Sequence, residues 1–166
     1  MIDFQQLTAR EIMHPDPLCA RPDESLAELS RRLVETRING APVVNDQGRL
    51  LGVVSRSDVI RVSVLYETLD RQVTDRLEPP DIHSEDFTNS LRETFHGFSD
   101  RLSKLTVRDV MRTQTIFCTP ETTIAAVARQ MIEEHIHRIV VVENNKPLGM
   151  ISSLDIVRLV AAGDKT

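Results

Sequence analysis

Gly52-Val53-Val54-Ser55-Arg56-Ser57-Asp58 is answered by Gly149-Met150-Ile151-Ser152-Ser153-Leu154-Asp155. Upstream, Thr8-Ala9-Arg10-Glu11-Ile12-Met13 matches Thr106-Val107-Arg108-Asp109-Val110-Met111. Pro22 matches Pro120, Ala27 matches Ala125, Ile38 matches Ile136, and Val43-Val44 matches Val141-Val142. The offset is 98 from Met13 to Met111 and 97 from Gly52 to Gly149, so one residue is lost in the turn between. An internal repeat of this kind predicts a pseudo-symmetric fold with related sites at or near the junction of the halves.

The matched positions alternate between helical and strand periodicity. Thr8-x-x-Glu11 and Thr106-x-x-Asp109 have the pattern of capping boxes that open a short helix. Pro17-Leu18-Cys19-Ala20 and Thr115-Ile116-Phe117-Cys118 read as brief strands. Pro22-Asp23-Glu24-Ser25 and Pro120-Glu121-Thr122-Thr123 then start a longer helix. Its apolar stripe is Leu26, Leu29, Leu33 and Val34 in the first repeat, and Ile124, Val127, Met131 and Ile132 in the second. Two β-hairpins follow, 41–44 with 50–54 and 139–142 with 148–151. A last helix begins at each Ser-x-x-Asp. The order is strand, helix, strand, strand, helix, twice over.

Three segments result: a first repeat over 1–62, a helical insertion over 63–104 and a second repeat over 105–166. The insertion can continue the preceding helix through Val64, Leu65, Leu69, Val73 and Leu77 until Pro79-Pro80 stops it. Ser84 can cap a second helix bearing Phe87, Leu91, Phe95, Phe98 and Leu102 on one face. That face suits either the chain's own core or a dimer or partner interface.

The bulk properties narrow the function classes. The 166 residues, 40% of them apolar, suffice for one domain or two small halves sharing a core. A net charge of −5 argues against non-specific nucleic-acid binding, which needs a basic face. Cys19 and Cys118 fall at non-equivalent repeat positions and read as small core-side residues rather than a disulfide. Met1-Ile2-Asp3-Phe4 shows no signal-peptide pattern, and no apolar run approaches the roughly 20 residues of a membrane span. A cytoplasmic protein with no membrane association is expected.

The Gly-x-x-Ser-x-x-Asp motifs carry the chemistry. Glycine near a strand end lets another group approach the backbone. A serine at a helix start can meet helix N–H groups or an anion, and the helix N-terminus favours negative charge. An aspartate one turn in can accept hydrogen bonds from two vicinal hydroxyls, as on a ribose. Ser-x-x-Asp is also a capping pattern, and both readings stand at this level.

Taken together, these motifs resemble the cystathionine-β-synthase (CBS) domain pair, or Bateman module, over about 7–62 and 105–160. The resemblance implies an α/β (α+β) fold of two pseudo-symmetric repeats, each β-α-β-β-α with an added N-terminal helical segment. It implies packing through the sheets and two clefts for adenosine-containing ligands. By position, Asp58 and Asp155 would hold ribose hydroxyls, and Ser55 and Ser152 would sit by phosphate or the ribose edge. Leu18-Cys19 and Ile116-Phe117 would line the base pocket. His137-Arg138 resembles the phosphate contacts of some members, against the bland reading of a surface histidine and a solvated charge. The aligned pair in the first repeat is Asn39-Gly40, which puts equal occupancy in doubt.

No Ser-His-Asp order, HExxH, Walker A loop or CxxC pair is present. His14, His83, His96, His135 and His137 are scattered, with no zinc-site spacing. The expectation is therefore a non-enzymatic regulatory module with no required cofactor. Candidate ligands are AMP, ADP, ATP or S-adenosylmethionine, the regulated protein is unidentified, and a homodimer is implied. The competing reading is a structural dimerisation module with no nucleotide.

Overall fold

The computed structural model describes residues 6–62, 100 and 102–163. Its elements run α1 (Ala9–Ile12), β1 (His14–Pro15), α2 (Leu26–Glu35), β2 (Gly40–Val44), β3 (Leu50–Ser55) and α3 (56–62). After helical residues at 102–104 come α4 (Val107–Val110), β4 (Phe117–Cys118), α5 (Ile124–Glu133), β5 (Arg138–Glu143), β6 (Lys146–Ser152) and α6 (Ser153–Gly163).

Local chemistry explains most of these boundaries. The Thr8 and Thr106 amides and hydroxyls donate to Glu11 and Asp109 carboxylates at 2.7–2.8 Å, closing both expected capping boxes. Ser25 and Thr123 hydroxyls accept from the Glu28 and Ala126 amides and so start α2 and α5. The β5–β6 hairpin turns on Asn144 and Asn145, both at positive φ, the geometry that matches strand twist. Between the matched Val44 and Gly52 the first repeat has one residue more than between Val142 and Gly149, and its turn is held by Asn45, whose side chain accepts from the Gln47 and Arg49 amides. That extra residue accounts for the drop in repeat offset.

The chain divides into two units, and each takes pieces from both repeats. The first comprises Met1–Cys19, Pro42–Gly52 and Thr113–Thr166. Its four-stranded sheet has the order β1-β6-β5-β4. β4 runs parallel to β5, since α5 carries the chain back between them, and the other pairings are antiparallel. Ile124, Val127, Ile139, Val141 and Ile151 make its core with Ala9, Cys118 and Met131. The second unit, Ala20–Ala41 and Val53–Arg112, buries Leu26, Leu29 and Leu33 of α2 with Val54 and Val107. β2 and β3 form a two-stranded sheet.

The N-terminal segment of each repeat is thereby laid on the other repeat. The Ala9 and Arg10 amides donate to the Thr122 and Pro120 carbonyls, and the Ile124 amide returns to Leu7, all at 2.8–2.9 Å. The equivalent bonds run from Val107 to Glu24, Arg108 to Pro22 and Leu26 to Leu105, each at 2.9 Å.

Three expectations are corrected. The first-repeat strand falls at His14–Pro15, not Pro17–Ala20, because those two residues pair with Gly149 and Met150 on β6. The second-repeat strand is only Phe117–Cys118. Val34 and Ile132 leave the buried stripe at 65% and 73% exposure, since each lies a 100° step beyond the last core residue of its helix. Cys118 is buried, which pushes its thiol up to about 11, while Cys19 is only half-buried and its thiol donates to the Pro17 carbonyl. The stripe expected over 64–77 and the positions Phe87, Leu91, Phe95 and Phe98 lie outside the described residues; Leu102 is buried.

Gly149 shows the tightest consequence of the exchanged segment. A Cβ there would sit 2.7 Å from Met13 Sδ and 2.9 Å from the His14 carbonyl oxygen. Gly149→Ala is expected to destabilise the protein by about 1–3 kcal/mol through this overpacking. Urea denaturation would read the shift; an unchanged midpoint would show that β1 does not press on β6 as described.

Candidate functional site

Two aspartates, 97 residues apart in sequence, sit in matching surroundings, one in each unit. Asp58 is 3% exposed and Asp155 9%. Each lies one turn into the helix that follows the repeat's last strand. Asp58 Oδ2 accepts from the Ser55 amide at 2.9 Å and the Ser55 hydroxyl at 2.5 Å. Asp155 Oδ2 accepts from the Ser152 amide at 2.8 Å and the Ser152 hydroxyl at 2.6 Å. The serine oxygens in turn accept from the aspartate amides at 3.4 and 3.3 Å. Both Ser-x-x-Asp motifs therefore form helix caps, and that part of the bland reading holds.

The cap uses only one oxygen of each carboxylate. Asp58 Oδ1 meets Arg112 Nε and Arg61 Nη1, both at 3.2 Å. Asp155 Oδ1 meets His14 Nε2 at 3.1 Å and Arg158 Nη1 at 3.4 Å. Burial alone would raise the Asp155 carboxyl, but the Ser152 hydroxyl and amide, and then His14, hold it below the ordinary carboxylate range. Its stabilising contribution is thus present above the ordinary carboxylate pKa and is lost as pH falls through the lower folded value.

The repeat symmetry places these basic groups. His14 is the Cα partner of Met150 on β6. Arg112 is bridged to Val53, with reciprocal amide–carbonyl bonds of 2.9 and 3.0 Å. His14 and Arg112 are equivalent positions, as are Arg61 and Arg158. The sequence reading passed over all four. The signal was available: each of His14 and Arg112 follows the matched methionine, and each of Arg61 and Arg158 lies three residues after the matched aspartate.

The remaining expected residues are distributed unevenly. Leu18, Cys19, Ile116, Phe117, His137 and Arg138 all belong to the unit that holds Ser152 and Asp155. Arg138 is exposed and is the Cα partner of Ser152 across β5 and β6, so the two side chains share a sheet face. The His137 carbonyl accepts from the Ser153 amide at 3.0 Å. Phe117 is 50% exposed on β4, an aromatic surface open to stacking. Ile116 packs against the core, and Leu18 and Cys19 are half-buried. Opposite Ser55 the corresponding residue is Gly40, where a Cβ would already lie 2.8 Å from the Val54 carbonyl oxygen. The first repeat has no arginine there and no room for one without a shift. Among the described residues, no group of three His, Cys, Asp or Glu side chains could hold a metal ion. Nor is any described helix long and apolar enough to cross a membrane.

Comparison with known proteins agrees with this doubled architecture. The CBS domain model matches residues 9–65 and 107–162. The uncharacterized protein MJ1426 of Methanocaldococcus jannaschii is 30% identical over 159 residues, covering 94% of this chain and 92% of the relative. The CBS domain of a CBS domain-containing membrane protein from Sphaerobacter thermophilus superposes with TM-score 0.71 at 28% identity, over 94% of this chain and 89% of that one. CBSX2 of Arabidopsis thaliana, solved in complex with AMP, shares the fold at TM-score 0.68 and 22% identity, over 96% of this chain and 99% of that one. The chain belongs to the CBS domain family and carries two copies of the domain.

Proposed function

We propose that this chain is a regulatory, non-catalytic module that binds an adenine nucleotide or another adenosyl ligand and passes its occupancy to a partner protein. One observation carries the reading. Each aspartate is fixed by its serine through Oδ2 and turns Oδ1 toward basic side chains from the opposite repeat's N-terminal segment and from its own helix. A pre-oriented carboxylate whose second oxygen is left outside the cap suits two vicinal hydroxyls. AMP bound by CBSX2 supports the ligand class.

In this reading Asp155 receives the ribose, Ser152 lies beside the ribose edge or phosphate, and His137-Arg138 draws the phosphate. Phe117, with Leu18, Cys19 and Ile116, lines the base side. Asp155→Asn leaves an oxygen for the cap but removes the charge. It should weaken AMP binding by about 1.5–3 kcal/mol, roughly ten- to a hundredfold. Asp58→Asn should cost less. Calorimetry with AMP, ADP, ATP and S-adenosylmethionine tests this, and unchanged affinity in both variants would leave only the capping role.

The exposed Arg138 opposite Ser152 motivates a preference for phosphorylated ligands over free adenosine. Arg138→Ala should abolish that preference and flatten the salt dependence of AMP binding. Equal affinity of the unaltered protein for adenosine and AMP would remove the phosphate role.

A homodimer is proposed on a separate observation. Leu154, Val157 and Val160 form one exposed apolar edge of α6, each more than half exposed. Replacing Leu154 and Val157 by serine should shift the light-scattering mass toward monomer with an unchanged circular-dichroism spectrum. A wild type already monomeric at tens of micromolar would defeat the dimer.

A further inference from the structure

The two aspartate sites share a backbone plan and differ in one basic group. At Asp58 that group is Arg112, whose main chain is tied to Val53 by two hydrogen bonds and whose Nε reaches Oδ1 at 3.2 Å. A guanidinium keeps its charge at every physiological pH. Arg61 doubles the contact at the same oxygen. At Asp155 the equivalent residue is His14, with a side chain 71% exposed. An imidazole gains or loses its charge between about pH 5 and 8. Once neutral, it holds a carboxylate by no more than an ordinary hydrogen bond. The second cation there, Arg158, is longer at 3.4 Å and 67% exposed.

From α6, Asp155 meets the imidazole, and Arg158 meets the same carboxylate oxygen. From β6, its partner Met150 and the adjoining Gly149 bring no charge. On its own segment the nearest ionisable residues are Asp16 and Glu11, and Glu11 is committed to Thr8. A diol approaching Asp155 Oδ1 meets one imidazole and one guanidinium, the latter at the longer distance of 3.4 Å. A diol approaching Asp58 Oδ1 meets two guanidinium groups, both at 3.2 Å.

We propose that the residue at this single repeated position, His14 or Arg112, selects which aspartate accepts the ligand's vicinal hydroxyls. Neutral His14 yields Asp155 to the ligand, protonated His14 competes for it, and Arg112 keeps Asp58 closed. This rests on the ribose reading above. It adds two consequences: one ligand per chain, and binding that strengthens as pH rises.

AMP calorimetry at pH 5.5 and 8.0 on the unaltered protein and on His14→Asn tests the selection. Taking the ratio of the two Kd values at each pH cancels the ionisation of AMP itself. The ratio should favour His14→Asn more at pH 5.5 than at pH 8.0, as displacing a charged competitor requires. Arg112→His, checked for folding by circular dichroism, should raise the stoichiometry at pH 8.0 from one AMP per chain to two. His14→Arg should lose binding at both pH values. A ratio that does not change with pH, with AMP still bound, overturns the selector and leaves the ligand-binding function intact. Two sites in the unaltered protein, or undiminished binding by His14→Arg, overturns it as well. No binding of AMP, ADP, ATP or S-adenosylmethionine by any of the proteins at either pH overturns the ribose reading and the selector with it.

Discussion

The structure depends on the backbone bonds that tie each repeat's first turn to the opposite repeat. Three amide–carbonyl bonds fix 7–10 against 120–124, and three more fix 105–108 against 22–26. These bonds satisfy amides at helix N-termini that would otherwise lack partners. They also determine where the following residues go. Met13 and His14 are delivered to Gly149 and Asp155, and Arg112 to Val53 and Asp58. The site chemistry is therefore a product of the exchange and not of either repeat alone.

Capping and ligand binding are often treated as competing explanations of Ser-x-x-Asp. Here the two oxygens of each carboxylate divide the work. Oδ2 closes the cap and immobilises the side chain, and Oδ1 is left to charged groups. At Asp155 the Ser152 hydrogen bonds and His14 outweigh the lost hydration and hold the carboxyl below its ordinary range. The cap thus holds the second carboxylate oxygen in a fixed place.

Pseudo-symmetry does not make the sites equal. Two repeat-equivalent positions differ in the groups they bring to the Ser-x-x-Asp motifs: Arg138 against Gly40 beside the serines, and His14 against Arg112 at the aspartates. The first adds a cation beside Ser152 that the first repeat lacks beside Ser55. The second exchanges a guanidinium for an imidazole at the carboxylate oxygen that the cap does not use.

The sequence by itself determined what local chemistry can specify. The repeat, the Thr-x-x-acid caps, the α2 and α5 core residues at 26, 29 and 33 and at 124, 127 and 131, both hairpins and the Ser-x-x-Asp helix starts all follow from periodicity and side-chain capping. Exposure of Val34 and Ile132 did not, because an amphipathic stripe has a soft edge and only the packed neighbours define it. The strand at His14–Pro15 did not, because two residues carry no readable period and acquire strand geometry only from β6. Above all, tertiary structure decided which repeat each N-terminal segment joins. Thr8 meets Thr123 and Thr106 meets Ser25, yet in a doubled sequence the alternative pairing within each repeat offers the same kinds of donors and acceptors. Local preference is degenerate between the two. The folded chain resolves it, and by doing so gives Asp155 a histidine and Asp58 an arginine.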